Sequence, residues 1–224
     1  QGLVVCLDAA NGKEVWKQTR STDGTHENKH SYASPMMYDH DGLKFLVTHG
    51  ADFVIAHDLK DGREIWRCGD LNVKSKYDKT LRFVASPLCA NGMIVVPTAK
   101  RGPVRVLRPD GKGDITFNKE AHIWSYATTP DVPSPLVHDG LVYLCMANGN
   151  LSCLDQKTGE EFYAERTHRQ RHRGSPVYAD GHLYLTARDG IISVVKTGKK
   201  FELVAQNELG EAIAASPCVA NGTI

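Results

Sequence analysis

The sequence lacks several features that would assign it quickly. Its six cysteines (Cys6, Cys68, Cys89, Cys145, Cys153 and Cys218) include no C-x-x-C pair and no adjacent pair. That excludes a zinc ribbon or a thioredoxin-type redox motif. Charge of one sign is also missing. The formal net charge is +1 over 224 residues, which argues against bulk electrostatic attraction to nucleic acid or an anionic membrane. No apolar run approaches the roughly 18 residues of a membrane-spanning helix. No 3.6-residue periodicity is sustained, which argues against helical repeats. The chain opens at Gln1 with neither an initiator methionine nor a visible secretory leader. It is therefore expected to be cut from something longer.

What is present is an ordinary globular balance, 41% hydrophobic and 24% charged. A chain of this length can bury about 70% of its unfolded surface. The cysteines, apart from one, lie in apolar strand-like runs, where a free thiol behaves as a small buried hydrophobe. The main signal is self-similarity. Ser-Pro recurs at Ser34-Pro35, Ser86-Pro87, Ser134-Pro135, Ser175-Pro176 and Ser216-Pro217, at spacings of 52, 48, 41 and 41 residues. A short apolar stretch follows each, then Asp-Gly or Asn-Gly ending at Gly42, Gly92, Gly140, Gly181 and Gly222. These dipeptides between apolar runs mark tight hairpins, because a type I′ turn needs positive φ at both central residues.

A second turn stands at Asn148-Gly149 and Asp189-Gly190, followed by a third strand such as Asn150–Leu154. Then comes Asp-x-x-x-Gly and a fourth strand with a large aromatic. Asp8 to Gly12 leads to Trp16, Asp58 to Gly62 to Trp66, and Asp155 to Gly159 to Phe162 and Tyr163. The motif is degraded around Pro109-Asp110-Gly111 and Thr197-Gly198. Four short strands per unit of about 40–50 residues predict an all-β fold, a β-propeller of four-stranded antiparallel blades. The expected organisation is a half blade over 1–18, blades over 34–67, 86–118, 134–165 and 175–207, and the start of another over 216–224. Gln1-Gly2 aligns with a strand two to strand three turn and Thr223-Ile224 with the start of a second strand. A ring of about seven or eight blades, with blades outside this segment, is expected.

The stretch Leu7-Asp8-Ala9-Ala10-Asn11-Gly12-Lys13-Glu14-Val15-Trp16 resembles the tryptophan-docking motif of PQQ-type (quinoprotein-like) propeller repeats. Asp58-Leu59-Lys60-Asp61-Gly62-Arg63-Glu64-Ile65-Trp66 and Leu154-Asp155-Gln156-Lys157-Thr158-Gly159 are similar to it, as is Leu183-Tyr184-Leu185 after a Ser-Pro. The resemblance covers essentially the whole chain and is specific for fold. It implies that Trp16, Trp66 and Phe162 dock one blade on the next. It also implies two kinds of function. One is PQQ- and calcium-dependent oxidoreduction, which uses a vicinal cysteine pair and a Glu-Asn-Asp calcium set; neither is readable here. The other is the outer-membrane-assembly lipoprotein of the BamB type, a scaffold that binds partner proteins through loops on one face. The resemblance implies a bacterial periplasmic or envelope location.

The residues themselves offer modest site candidates. His26 and His30 share a loop but lack a third metal ligand. Thr167–Arg173 is a basic run containing Arg171, His172 and Arg173, a candidate for an anion or acidic partner. The loops before each Ser-Pro (18–33, 67–85 and 118–132) vary most and crowd one face, where function concentrates. They carry Tyr32, Phe83, Trp124 and Tyr126 as candidate binding residues, the last two read as off the docking register. No catalytic residue, no metal and no cofactor is assigned, and no nucleic-acid partner or transmembrane segment is expected. The expectation is a non-catalytic scaffold for protein partners. The alternatives are a PQQ/Ca oxidoreductase with its site mostly outside this segment, or a propeller that binds glycans or small anions.

Overall fold

The computed structural model describes residues 2–223. The alignments placed on Gln1 and Ile224 lie outside the described residues. The chain begins with a two-stranded sheet, β1 (Gly2–Leu7) and β2 (Glu14–Arg20). Next come β3 (Met36–His40), β4 (Leu43–Gly50), β5 (Phe53–His57) and β6 (Glu64–Cys68). Then follow β7 (Leu88–Ala90), β8 (Met93–Pro97), β9 (Val104–Leu107), β10 (Gly113–Asp114) and β11 (His122–Tyr126). The last two sheets are β12 (Leu136–His138) to β15, through β13 (Leu141–Cys145) and β14 (Asn150–Asp155), with β15 at Glu161–Arg166, and β16 (Val177–Ala179), β17 (His182–Thr186), β18 (Ile191–Lys196) and β19 (Leu203–Glu208). Apart from β10, each sheet is an antiparallel meander, and the fold is a β-propeller.

One boundary needs correction. The third unit does not end at residue 118. After the degraded Pro109-Asp110-Gly111 turn the chain leaves its own sheet, and β10 pairs in parallel with β6 of the preceding blade. Only then does β11 return as the fourth strand, against β9. The excursion covers the otherwise open edge of β6 and buries Ile115 against Trp66's cluster.

The first strands stand innermost: β3 lies against β7, β7 against β12, and β12 against β16. The Ser-Pro repeat explains itself here. Each serine's backbone N–H donates to the hydroxyl of the next unit's serine. The links are Ser34 to Ser86 (2.9 Å), Ser86 to Ser134 (3.0 Å), Ser134 to Ser175 (2.9 Å) and Ser175 to Ser216 (2.9 Å). Proline after each serine cannot donate and holds extended backbone, so the serine hydroxyl is left to accept from the neighbouring blade.

Blade stacking uses the period-two alternation of strands. In β8, Ile94 and Val96 face the preceding blade with Tyr38, Phe45 and Trp66, whereas Met93 and Val95 face the following one with Val142 and Leu144. Both faces are buried, which is why the strand reads as a continuous apolar run. Tyr143, Cys145 and Cys153 pack on Leu183, Leu185 and Val195 in the next interface.

The Asp-x-x-x-Gly turn is equally readable. The Gly62 N–H donates to the Asp58 carbonyl at 2.9 Å, and the Asp58 carboxylate accepts from the Lys60 N–H at 2.9 Å. The Lys60 N–H, and then the Arg63 guanidinium, hold the Asp58 carboxyl below its ordinary range. Gly62 has φ +73° and faces the indole of Trp16 from the preceding sheet. The Trp16 N–H donates to the Leu59 carbonyl at 2.9 Å, and the Trp66 N–H to the Pro109 carbonyl at 3.1 Å.

Candidate functional site on the loop face

The loops that follow β2 and β6 are tied to one another. Ser31 bridges Phe83, the Tyr32 N–H donates to the Phe83 carbonyl at 2.9 Å, and the Glu27 N–H to the Lys79 carbonyl at 3.1 Å. Asn72 donates to the Asn28 side chain at 2.8 Å, and both amides donate to the Asp78 carbonyl. Tyr77 donates to the buried Asp52 carboxylate at 2.9 Å and accepts from the Thr25 N–H at 3.1 Å. Burial pushes the Asp52 carboxyl up, against the pull of Tyr77 and Lys74. Polar networks of this kind fix loop geometry that hydrophobic packing alone leaves loose, and here the second Asp52 carboxylate oxygen stays buried without a donor.

The two tied loops border a cleft of about 400 Å³ that the later loops complete. Tyr32 lines it from the first loop, Arg82 from the second, Lys100 from the β8–β9 turn, Asp131 from the third loop, and Arg171 and Arg173 from the fourth. Arg82 pairs with Glu27 at 3.0 Å and stands 5.9 Å from the Tyr32 ring centroid. Lys100 pairs with Asp131 at 2.9 Å. Among the described residues neither Arg171 nor Arg173 has an acidic partner, and the Nε of Arg173 is buried without an acceptor.

The candidate residues therefore separate. Tyr32, Arg171 and Arg173 come together in the cleft. Phe83 does not present itself for binding: its ring is 1% exposed and meets His49 edge-on at 5.1 Å. His172 is likewise fully buried, its Nδ1 2.9 Å from the Gln170 carbonyl. An extended segment alternates its side chains, so His172 turns inward where its neighbours turn out.

Trp124 is on the docking register, contrary to the sequence reading. It sits opposite Val106, as Trp66 sits opposite Ala56 and Trp16 opposite Cys6. Its N–H donates to the Gln156 carbonyl of the next blade at 2.9 Å. Tyr126 is half-buried and bonds Glu161 and Ser152 of that blade. The equivalent place in the fourth blade belongs to Tyr163, opposite Cys153, and not to Phe162. Phe162 lies beside it, half-buried, with the Lys199 ammonium 4.6 Å over its ring. Arg82, Lys100 and Asp131 were not singled out by sequence. Asp131 sits between Pro130 and Val132-Pro133, and Arg82 precedes Phe83, but only tertiary proximity joins them.

Among the described residues no group of three or more His, Cys, Asp or Glu stands where a metal ion is held. Cys68, Cys145 and Cys153 are buried single thiols, with Cys145 pushed up to about 12 by burial. Among the described residues neither a calcium-ligand cluster nor a vicinal cysteine pair is present to hold a PQQ–calcium centre. Among the described residues no helix is long and apolar enough to cross a membrane.

The sequence matches the profile of the PQQ-repeat family described as outer membrane protein assembly factor BamB, over residues 1–161 and 112–201. The chain belongs to this family. Among curated proteins, none is matched. BamB from Moraxella catarrhalis superimposes with a TM-score of 0.72 at 14% identity, covering 97% of this chain. The chain spans 62% of that BamB's length. The computationally designed Ika8 protein gives a TM-score of 0.62 at 14% identity over 95% of this chain and 58% of its own. The designed Ika4 protein gives 0.54 at 15% identity over 84% and 99%. At these identities the likeness is one of fold.

Proposed function

We propose that this chain is a non-catalytic assembly scaffold of the bacterial cell envelope that holds a protein partner on its loop face. The observation that carries the reading is the stitching of the first two loops by Asn28, Asn72, Tyr77 and the Ser31–Phe83 bridge. Long loops tied into one surface lower the ordering cost of association, which otherwise consumes much of the contact energy. Family membership supports both the scaffold role and the envelope location.

The test is retention of partners from a detergent extract of envelope membranes by the immobilised full chain. Tyr32→Ala combined with Arg82→Glu changes the loop face; Lys44→Glu changes an exposed hairpin strand away from it. A discrete partner lost with the loop-face pair and kept with Lys44→Glu is the expected result. Equal retention by both variants overturns the reading.

A further inference from the structure

We propose that the cleft bounded by Tyr32, Arg82, Lys100, Arg171 and Arg173 is a binding site for a small oxyanion, either free phosphate or the carboxylates of a small organic acid. This goes beyond the scaffold reading and does not require it.

Charge is the first ground. Overall the protein is nearly neutral, at +1, so a cluster of cations on one cleft is a local arrangement. Glu27 and Asp131 answer Arg82 and Lys100. Arg171 and Arg173 remain uncompensated among the described residues, and the buried Nε of Arg173 has no acceptor. Arg171 is exposed and Arg173 half-buried, and a buried donor left without an acceptor is costly. An oxyanion seated on the outer edges of the two guanidiniums supplies the missing countercharge in the fork geometry arginine favours.

Preorganisation is the second ground. The strand segment carrying the two arginines is pinned on both sides. The His172 N–H donates to the Ala147 carbonyl at 3.0 Å, the Arg188 N–H donates to the Arg171 carbonyl at 2.9 Å, and His172 bridges Ala187. His172 is buried between them. Alternation then sends Arg171 and Arg173 to the same side, and both line the cleft. Neither arginine's backbone needs to be ordered when a ligand arrives.

Size is the third. About 400 Å³ is within the range of small-ligand pockets and too small for a folded element of a partner. Tyr32, 57% exposed, gives the cleft one aromatic wall beside Arg82.

The experiment is calorimetric titration of the full chain at low ionic strength with inorganic phosphate and, separately, with citrate. Saturable binding is expected, weakened by added sodium chloride as the charges are screened. The folded double variant Arg171→Gln/Arg173→Gln is expected to bind about tenfold more weakly or worse. Lys44→Gln, an exposed lysine on a hairpin strand outside the cleft lining, is expected to leave binding unchanged. Tighter phosphate binding assigns a phosphate ligand, and tighter citrate binding assigns a carboxylate one. If the double variant does not fold, Lys100→Gln and Arg171→Gln, each tested singly, carry the same comparison. Absence of saturable binding of both anions overturns the proposal, as does undiminished binding by the folded variants. Binding of a glutamate-rich peptide without either small anion also overturns it. Loss of anion binding with partner retention intact sinks this site and leaves the scaffold standing; the converse separates them the other way.

Discussion

The indole of Trp124 rests on Gly159 of the following blade so closely that a Cβ built there lies 2.6 Å from Trp124 Cδ2. Trp16 has the same relationship to Gly62, at 2.5 Å. The glycine in Asp-x-x-x-Gly thus serves two purposes. It takes a left-handed φ of +73° or +74° to close the turn, and it leaves the floor on which the neighbouring tryptophan lies flat. Either need alone favours glycine; together they tie one blade's turn to the previous blade's fourth strand.

Gly159→Ala is expected to destabilise the fold by on the order of 2 kcal/mol or more, since the methyl meets both a disfavoured φ and the Trp124 ring. Urea unfolding checks this. A neutral outcome means the ring is free to tilt away, and the docking account of Trp124 fails.

Trp66→Ala is expected to cost about 3–5 kcal/mol by leaving a cavity among Phe45, Leu107 and Ile115. Trp66 is fully buried. A loss below about 1 kcal/mol in a denaturation series rules out this packing role. Trp66→Phe removes the N–H donated to Pro109 and keeps much of the apolar area, so its cost falls between the two.

Ser134→Ala removes the acceptor of the Ser86 N–H in the inner ladder. A loss of about 1–2 kcal/mol is expected, with faster amide exchange at Ser86. Unchanged exchange there shows that the ladder is an accident of proximity.

His49 sets a pH dependence. It is buried, and neither ring nitrogen has a hydrogen-bond partner. Burial, and then the nearby Arg20, push its pKa down from 6.5 to about 3; the Pro97 and Ala85 carbonyls pull weakly the other way. The unfolded chain takes up this proton near pH 6.5, and the folded chain does not until about pH 3. Stability is therefore full above 6.5 and falls as pH drops through that window, by on the order of 2 kcal/mol at pH 5 from this group. His57 and His172, also lowered chiefly by burial, act in the same direction. His49→Phe is expected to flatten the acid limb of a stability–pH profile. A limb of unchanged slope disproves the assignment.

Much of the fold was legible because its signals are local. The Ser-Pro spacing, the Asp-Gly hairpins and the Asp-x-x-x-Gly turn each act within a few residues, through φ preference and side-chain bonds to nearby backbone. Where the local signal failed, the reading failed with it. The turn at Pro109-Asp110-Gly111 has lost its aspartate at the first position, so the sequence pattern ends the unit at residue 118 and leaves Trp124 in the following loop, whereas the fourth strand is His122–Tyr126. Phe162 and Tyr163 are adjacent, and only the bulge between Cys153 and Leu154 decides which of them faces the next blade.

The candidate site was legible in part. A dense basic run at Arg171–Arg173 is visible in any sequence, and an exposed tyrosine in a variable loop is a reasonable candidate. Phe83 and His172 look the same in sequence as Tyr32 and Arg171; burial separates them, and burial depends on which way an extended segment turns.

The sequence by itself determined the blade: four strands, their turns, and an aromatic reserved for the neighbour, because these rest on backbone conformation and on period-two alternation. The tertiary structure alone decided the cleft. Tyr32, Arg82, Lys100, Asp131 and Arg171 come from loops separated by tens of residues, and they meet only because stacked blades bring successive loops to one face. Coulomb interactions depend on distance in space, and no spacing along the chain encodes it.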